Sequence, residues 1–206
     1  MAAAEPEVRL MIAGHFGFAA LAKSREPQVP LWSLMLATVW LDIVFIPLYL
    51  AGIETIELIP GSHGTYGTGI IHADYTHSLL GALAISAIYG LAFAPRWGRR
   101  NAIVLAAVSF SHWVLDLLVH HGDMPLLPGN AGHLPKLGLG LWSHPPVVMA
   151  MELALVLAGA VFYSRAASRA VEAAGRGGSK LATVNTWLIA LGGIAVLALD
   201  VTGALG

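Results

Sequence analysis

The chain contains no cysteine. That absence excludes disulfide staples, cysteine-ligated zinc and iron–sulfur clusters. Charge is scarce too: 11% of the 206 residues are Asp, Glu, Lys or Arg, against about 25% in a soluble domain. There is no basic excess, with 11 Lys and Arg against 12 Asp and Glu, which excludes a nucleic-acid-binding module. No repeat of 20–50 residues and no low-complexity tract is present. What is there in quantity is apolar. The 57% hydrophobic content and net charge of −1 exclude disorder. A mean hydropathy of +0.72 points to an all-α integral membrane protein, with residues 1–206 as a single domain.

A helix needs roughly 20 apolar residues to cross about 30 Å of hydrocarbon. Six segments qualify or come close: Val8–Ala22 (short), Leu31–Gly52, Tyr75–Ala94, Ala102–His121, Pro146–Ser164 and Thr183–Ala204. The acidic start at Glu5 and Glu7 argues for a retained helix at the first segment, not a cleaved signal. Nine of the eleven cations lie in connectors Lys23–Pro30, Pro95–Asn101 and Arg165–Ala182. The positive-inside rule puts these three in the cytoplasm and both termini outside. Ala166–Ser179, rich in Ala, Gly and Arg, reads as a flexible cytoplasmic loop.

With that topology no histidine is cytoplasmic. His63, His72, His133 and His144 fall in outer connectors, and His15, His77, His120 and His121 in the outer parts of their helices. His112 lies roughly 13 Å below the outer end of its helix at 1.5 Å per residue. Lys and Arg alone set the topology, so this segregation is an independent observation, and metal-binding and proton-handling sites collect histidines. Asp42, Asp116, Glu152 and Asp200 also stand inside apolar sequence. A lone carboxylate at the bilayer centre costs about 2.5–3.5 kcal/mol, so such a group needs a partner or a cavity. His112-x-x-x-Asp116 is an i, i+4 pair on one helix face, and His120 continues that face. The pair alone fits a buried ion pair as well as a metal site. Four segments each offer an acid or histidine at similar depth (His15, Asp42, His77, and His112 with Asp116), and no buried basic residue is available to pair them. That favours a divalent cation, zinc most simply or manganese, as the missing charge. His63 and His133, in Gly/Pro-rich loops, read as solvated.

The order Gly14-His15-Phe16, Leu41-Asp42-Ile43, His72-Ala-Asp-Tyr-Thr-His77-Ser-Leu-Leu80, Ser111-His112-Trp-Val-Leu-Asp116 and Pro125-Leu-Leu-Pro128 resembles the YdjM-like family of membrane-bound metal-dependent hydrolases of the bacterial inner membrane. The resemblance covers residues 10–128. The family's Pro-Asp-x-Asp-His cluster is reduced here to Asp42, with Val44 and Phe45 following. A more distant likeness is to zinc-dependent phospholipase C and P1-type nucleases. There the ligand order His, Asp, His, His-x-x-x-Asp, His corresponds to His15, Asp42, His77, His112, Asp116 and then His120 or His121. His144 and Glu152 stand eight apart where those enzymes have a spacing of four.

A metal beside carboxylates lowers the pKa of a bound water toward about 7 and polarises a phosphoryl or carbonyl oxygen. Asp42 or Asp116 is then ligand, bridge or base, and Glu152 is the candidate general base outside the ligand set. The expected metal ligands are His15, Asp42, His77, His112, Asp116 and His120. The expected substrate is an envelope lipid or other phosphoester at the outer leaflet. The outer connectors Ile53–Asp74 and Gly122–Pro145, 22 and 24 residues long, exceed the about 12–15 residues beyond which loops are usually lids or disordered. They suggest a lidded cavity wide enough for a headgroup. Two non-catalytic readings stay open at this point: a metal-binding membrane subunit or transporter, and an accessory or scaffold subunit of a membrane complex.

Overall fold

The computed structural model describes residues 12–59, 68–175 and 180–202. His63, residues 8–11 of the first expected span, residues 176–179 of the fifth connector and the side chain of Asp200 lie outside what is described. The elements in chain order are α1 (Ala13–Arg25), α2 (Leu31–Thr38), α3 (Trp40–Leu50), β1 (Thr55–Leu58), β2 (Gly69–His72), α4 (Leu79–Val119), α5 (Pro145–Ala173) and α6 (Lys180–Thr202). Among the described residues, three helices are long and apolar enough to cross a membrane, and a fourth span results if α2 and α3 count as one bent by 45°. The core is largely apolar, but large apolar side chains also cover the outside and several polar groups are buried. Leu50, Ile88, Leu91, Trp187 and Leu188 face outward, while His15, Thr38, Glu54 and Glu152 are fully buried. Apolar surface is tolerated where the surroundings are hydrocarbon, and polar groups turn inward to find partners.

Helix α4 is a hairpin. Straight, its 41 residues would reach about 60 Å. Instead the Ser86 hydroxyl donates to that of Ser109 at 3.1 Å, so the two halves lie side by side. The reversal is at Gly98, whose φ of 81° and ψ of 166° suit a residue without Cβ. Where the halves meet, a Cβ on Gly90 would overlap the Ala102 carbonyl. The third and fourth expected segments thus join within residues that stay helical almost to the turn.

The second expected segment breaks at Val39 (φ −118°, ψ 11°) into α2 and α3. Helices α1 and α5 run parallel in close contact. A Cβ on Gly17 would fall 2.5 Å from the Leu155 backbone, and one on Gly159 would overlap the Gly17 carbonyl. Such small-residue seams let helix backbones approach in apolar surroundings. Helix α6 closes against the same pair, Leu197 clustering with Ala13 and Val156.

Two expectations need correction. Ala166–Ser179 is not a loop over most of its length: α5 continues to Ala173. Its alanines (Ala166, Ala167, Ala170, Ala173) are the best helix formers, and the helix stops where Gly175 takes a φ of 64°. The connector Ile53–Asp74 is not irregular throughout. Strands β1 and β2 pair antiparallel, Thr55 opposite His72 and Leu58 opposite Gly69. The Thr-Ile-Glu-Leu alternation carries that signal.

The cationic connectors gather at one end. Arg100 pairs with Glu26 at 2.8 Å, joining the first connector to the third. Trp32 packs edge-on to Trp97 there. Arg25 shares a cavity with Arg165 and Arg169. The β-hairpin and the segment before α5 lie at the opposite end, over the histidines.

Candidate metal centre

Each site residue is delivered by a local device. His15 sits in the first turn of α1, held where the Gly14 N–H donates to Glu152 Oε1 at 3.2 Å. Asp42 lies in the first turn of α3, just after the break at Val39. His77 immediately precedes Ser78, which caps α4: its hydroxyl accepts from the Gly81 N–H and donates to the Tyr75 carbonyl. Residue 81 must be small, because a Cβ there would overlap that carbonyl. Trp113 locks the same turn by donating to the His77 carbonyl at 2.8 Å. His112 and Asp116 are one turn apart on the returning half of α4, and His120 ends it.

These devices converge. His112 Nε2 is 3.0 Å from Asp116 Oδ2, 3.4 Å from Asp42 Oδ1 and 3.3 Å from His77 Nε2. His77 Nε2 is 3.5 Å from Asp116 Oδ2 and 3.6 Å from Asp42 Oδ1. His15 Nε2 approaches the other oxygen of Asp116, Oδ1, at 3.5 Å. Two triads able to hold a metal ion result, His15–His112–Asp116 and Asp42–His77–His112, and they share His112.

The ring nitrogens facing away from the cluster decide its chemistry. His112 Nδ1 donates to the Thr38 carbonyl at 2.7 Å, at the break between α2 and α3. His120 Nδ1 donates to Asp123 Oδ1 at 2.8 Å. His77 Nδ1 is 2.8 Å from the Thr76 hydroxyl oxygen, and that hydroxyl is 2.9 Å from Glu54 Oε2. A hydroxyl has one proton and a carboxylate only accepts. The Thr76 proton therefore goes to Glu54, and its oxygen accepts from His77 Nδ1–H. With Nδ1 protonated in all three rings, each neutral imidazole carries its lone pair on Nε2. For His77 and His112 those lone pairs face two carboxylates at 3.0–3.6 Å. Acceptors so close repel unless positive charge lies among them. Histidine held by an outer carboxylate or carbonyl is the arrangement that orients metal ligands. Neither ring nitrogen of buried His15 has a hydrogen-bond partner among the described residues, which suits a metal ligand.

The cavity at the cluster is lined by Asp42, Phe45, Ile71, His77, His112, Asp116, His120 and Trp142. Its volume is about 20 Å³, enough for an ion or a water molecule. The expectation of a cavity wide enough for a headgroup is corrected by this geometry, and α5 contributes no lining residue. The described parts of the connectors Ile53–Asp74 and Gly122–Pro145 close over it. Asp123 Oδ2 accepts from the Ile71 N–H at 2.8 Å, tying β2 to the end of α4. Lys136 reaches Asp74 at 2.8 Å. Burial pushes the Asp123 carboxyl up, but the hydrogen bonds from His120 and from the Ile71 N–H hold it below the usual carboxylate range.

Of the sequence-derived candidates, the structure brings together His15, Asp42, His77, His112 and Asp116, with His120 at the cavity wall, 6.4 Å from His77 between ring centres. Glu152 stands apart. It is fully buried behind His15, bonded to the Gly14 N–H, and does not line the cavity. His144 and His133 are exposed. His72 lies on the hairpin, 3.4 Å from Glu57, and His121 lies tilted against Trp142 with ring centres 5.7 Å apart. Sequence reasoning missed Glu54, Thr76, Thr38, Asp123 and Trp142. Asp123 carried a signal in its spacing of three from His120. Glu54 carried none, because its partners stand more than twenty residues away. No family model, curated protein or solved structure matches the chain.

Proposed function

We propose that this chain is a membrane-bound metal-dependent hydrolase, with His15, Asp42, His77, His112, Asp116 and His120 holding a divalent cation, zinc or manganese. The observation that carries the metal reading is the pair of outer hydrogen bonds from His77 and His112, which turn their Nε2 lone pairs toward two carboxylates. The hydrolase reading rests on the resemblance of the motifs that deliver these residues. When bound, the cation supplies Lewis acidity toward a phosphoryl or carbonyl oxygen and a lowered water pKa. Asp116 presents one oxygen to His15 and the other to His77 and His112, so it would be a ligand in either triad. Asp42 is the most accessible of the cluster, with its side chain 20% exposed, and is our choice for the group that accepts a proton from the attacking water. Glu152 positions His15 through Gly14. The indole N–H of Trp142 is buried at the cavity wall without a partner among the described residues, a donor suited to a substrate oxygen.

In this reading the cationic end faces the cytoplasm by the positive-inside rule. The chain crosses the bacterial inner membrane six times, α1 being the short pass, and the site opens outward toward an envelope lipid or phosphoester. The ion-sized cavity favours a second reading, a non-catalytic metal-binding or accessory subunit of a membrane complex, unless the hairpin lid moves. Metal analysis of the purified full chain, followed by phosphodiesterase and lipid-hydrolysis assays, separates the two. Stoichiometric metal with hydrolysis lost in Asp42→Asn supports catalysis. Stoichiometric metal with no hydrolysis supports a non-catalytic metal-binding subunit, and absence of metal refutes both metal readings and favours the accessory subunit.

A further inference from the structure

The end of the bundle opposite the histidines carries a second cavity, lined by Ser24, Arg25, Phe162, Arg165, Ala166 and Arg169, with a volume of about 360 Å³. It lies where the parallel pair α1 and α5 runs past the last turn of α1. Arg165 and Arg169 are i, i+4 on α5 and share a face, and Arg25 comes from the last turn of α1. Three guanidinium groups thus surround one space without a carboxylate in its lining. Among the described residues none of the three is in an ion pair, whereas Arg100 is matched by Glu26. The nearest acid along the helix, Glu172, lines a different cavity with Ser164 and Ser168. Mutual repulsion of three arginines is relieved by an anion, and the guanidinium fork matches phosphate oxygens in a bidentate manner.

The surroundings choose the kind of anion. Phe162 is part of the lining, and it is 40% exposed beside Val161 at 45%. An apolar helix surface therefore continues directly from the basic cavity, as needed by a molecule with a phosphate head and hydrocarbon tails. We propose that this cavity is a binding site for the phosphate headgroup of an anionic phospholipid in the leaflet at the cationic end. Basic pockets between membrane helices bind such headgroups by this combination. The site is independent of the metal centre at the other end.

The test uses the full chain in nanodiscs of phosphatidylcholine with a minor fraction of phosphatidylglycerol, and reads retained lipid by native mass spectrometry. Wild type is expected to retain phosphatidylglycerol over phosphatidylcholine. The R165Q/R169Q double variant should lose that preference by about 100-fold, the cost of one charge-assisted hydrogen bond to phosphate lost per arginine. R165K/R169K should keep most of it, which also shows that the variants fold. R96Q/R99Q, which removes two cations that are likewise exposed but do not line the cavity, should stay within about twofold, since those two act on the headgroup only through charge screened by salt. Excess inorganic phosphate should not displace the lipid. Equal losses in the two Gln pairs would reduce the effect to diffuse surface charge and overturn the site. Displacement by phosphate alone would make it a free-anion site and overturn the lipid assignment. Absence of any preference in wild type would overturn both.

Discussion

Glu54→Gln perturbs the groups that orient His77 without touching the cluster itself. Glu54 Oε1 accepts from the Tyr75 and Thr76 N–H groups, each at 2.8 Å, and Oε2 accepts from the Thr76 hydroxyl at 2.9 Å. Glutamine has one oxygen and one NH₂. Two N–H donors at the Oε1 position demand the oxygen there, which puts the NH₂ against the Thr76 hydroxyl. The hydroxyl oxygen must then accept from the new amide, and its own proton turns to His77 Nδ1, 2.8 Å away. His77 is driven to the other tautomer, with a proton on Nε2 facing Asp42, Asp116 and His112. Every local hydrogen bond is still made, so the fold should survive with a loss of at most about 1–2 kcal/mol for exchanging charge-assisted for neutral bonds. Metal affinity should fall by about 10–100-fold, the usual consequence of losing an outer partner. Competition with a chromophoric zinc chelator in detergent measures the affinity, and thermal unfolding of the metal-free protein measures the fold. Thr76→Ser keeps the hydroxyl and should bind like wild type, while Thr76→Val should behave like Glu54→Gln. Wild-type affinity in Glu54→Gln, with the fold intact, would refute the tautomer argument.

Three further outcomes are expected. Asp116→Asn should reduce bound metal more than Asp42→Asn, measured by elemental analysis, because Asp116 meets His15, His77 and His112 while Asp42 meets only the last two. Gly159→Leu should destabilise the bundle by more than the about 1–3 kcal/mol of ordinary overpacking, since even a Cβ at that position overlaps the Gly17 carbonyl; denaturant titration in micelles reads this. Cysteine placed at Arg99 should resist an impermeant thiol reagent in intact cells and cysteine at Leu134 should react, against a background without native cysteine. Labelling at position 99 alone would invert the orientation.

The cluster was legible because each of its members breaks a local rule. A carboxylate or imidazole within an apolar helix stands out against its neighbours, and the i, i+4 spacing of His112 and Asp116 needs only helix geometry to place both on one face. The grouping of cations in alternate connectors was legible for a similar reason, and the Arg100–Glu26 pair and the cavity shared by Arg25, Arg165 and Arg169 reflect it. Helix ends were less legible. Alanine carries α5 past its last strongly apolar residues to Ala173, since helix propensity does not require burial.

The supporting residues stayed hidden because they obey local rules. Glu54 and Asp123 are acids in polar connectors, where solvation is the ordinary outcome, yet each is at most 5% exposed. What buries them is the pairing of β1 with β2, which sets Glu54 under the Tyr75–Thr76 turn, and the return of the chain from α4, which sets Asp123 against Ile71. Thr38 contributes only a backbone carbonyl, available to His112 because α2 and α3 break at that point. A side-chain pattern cannot report a carbonyl. The same folding of the connectors explains why long outer loops were a poor guide to cavity size. Their length goes into carrying Glu54, Ile71, Asp123 and Trp142 to the cluster. The loops therefore hold the histidines in place and cover them, leaving an ion-sized space where an open headgroup pocket was expected.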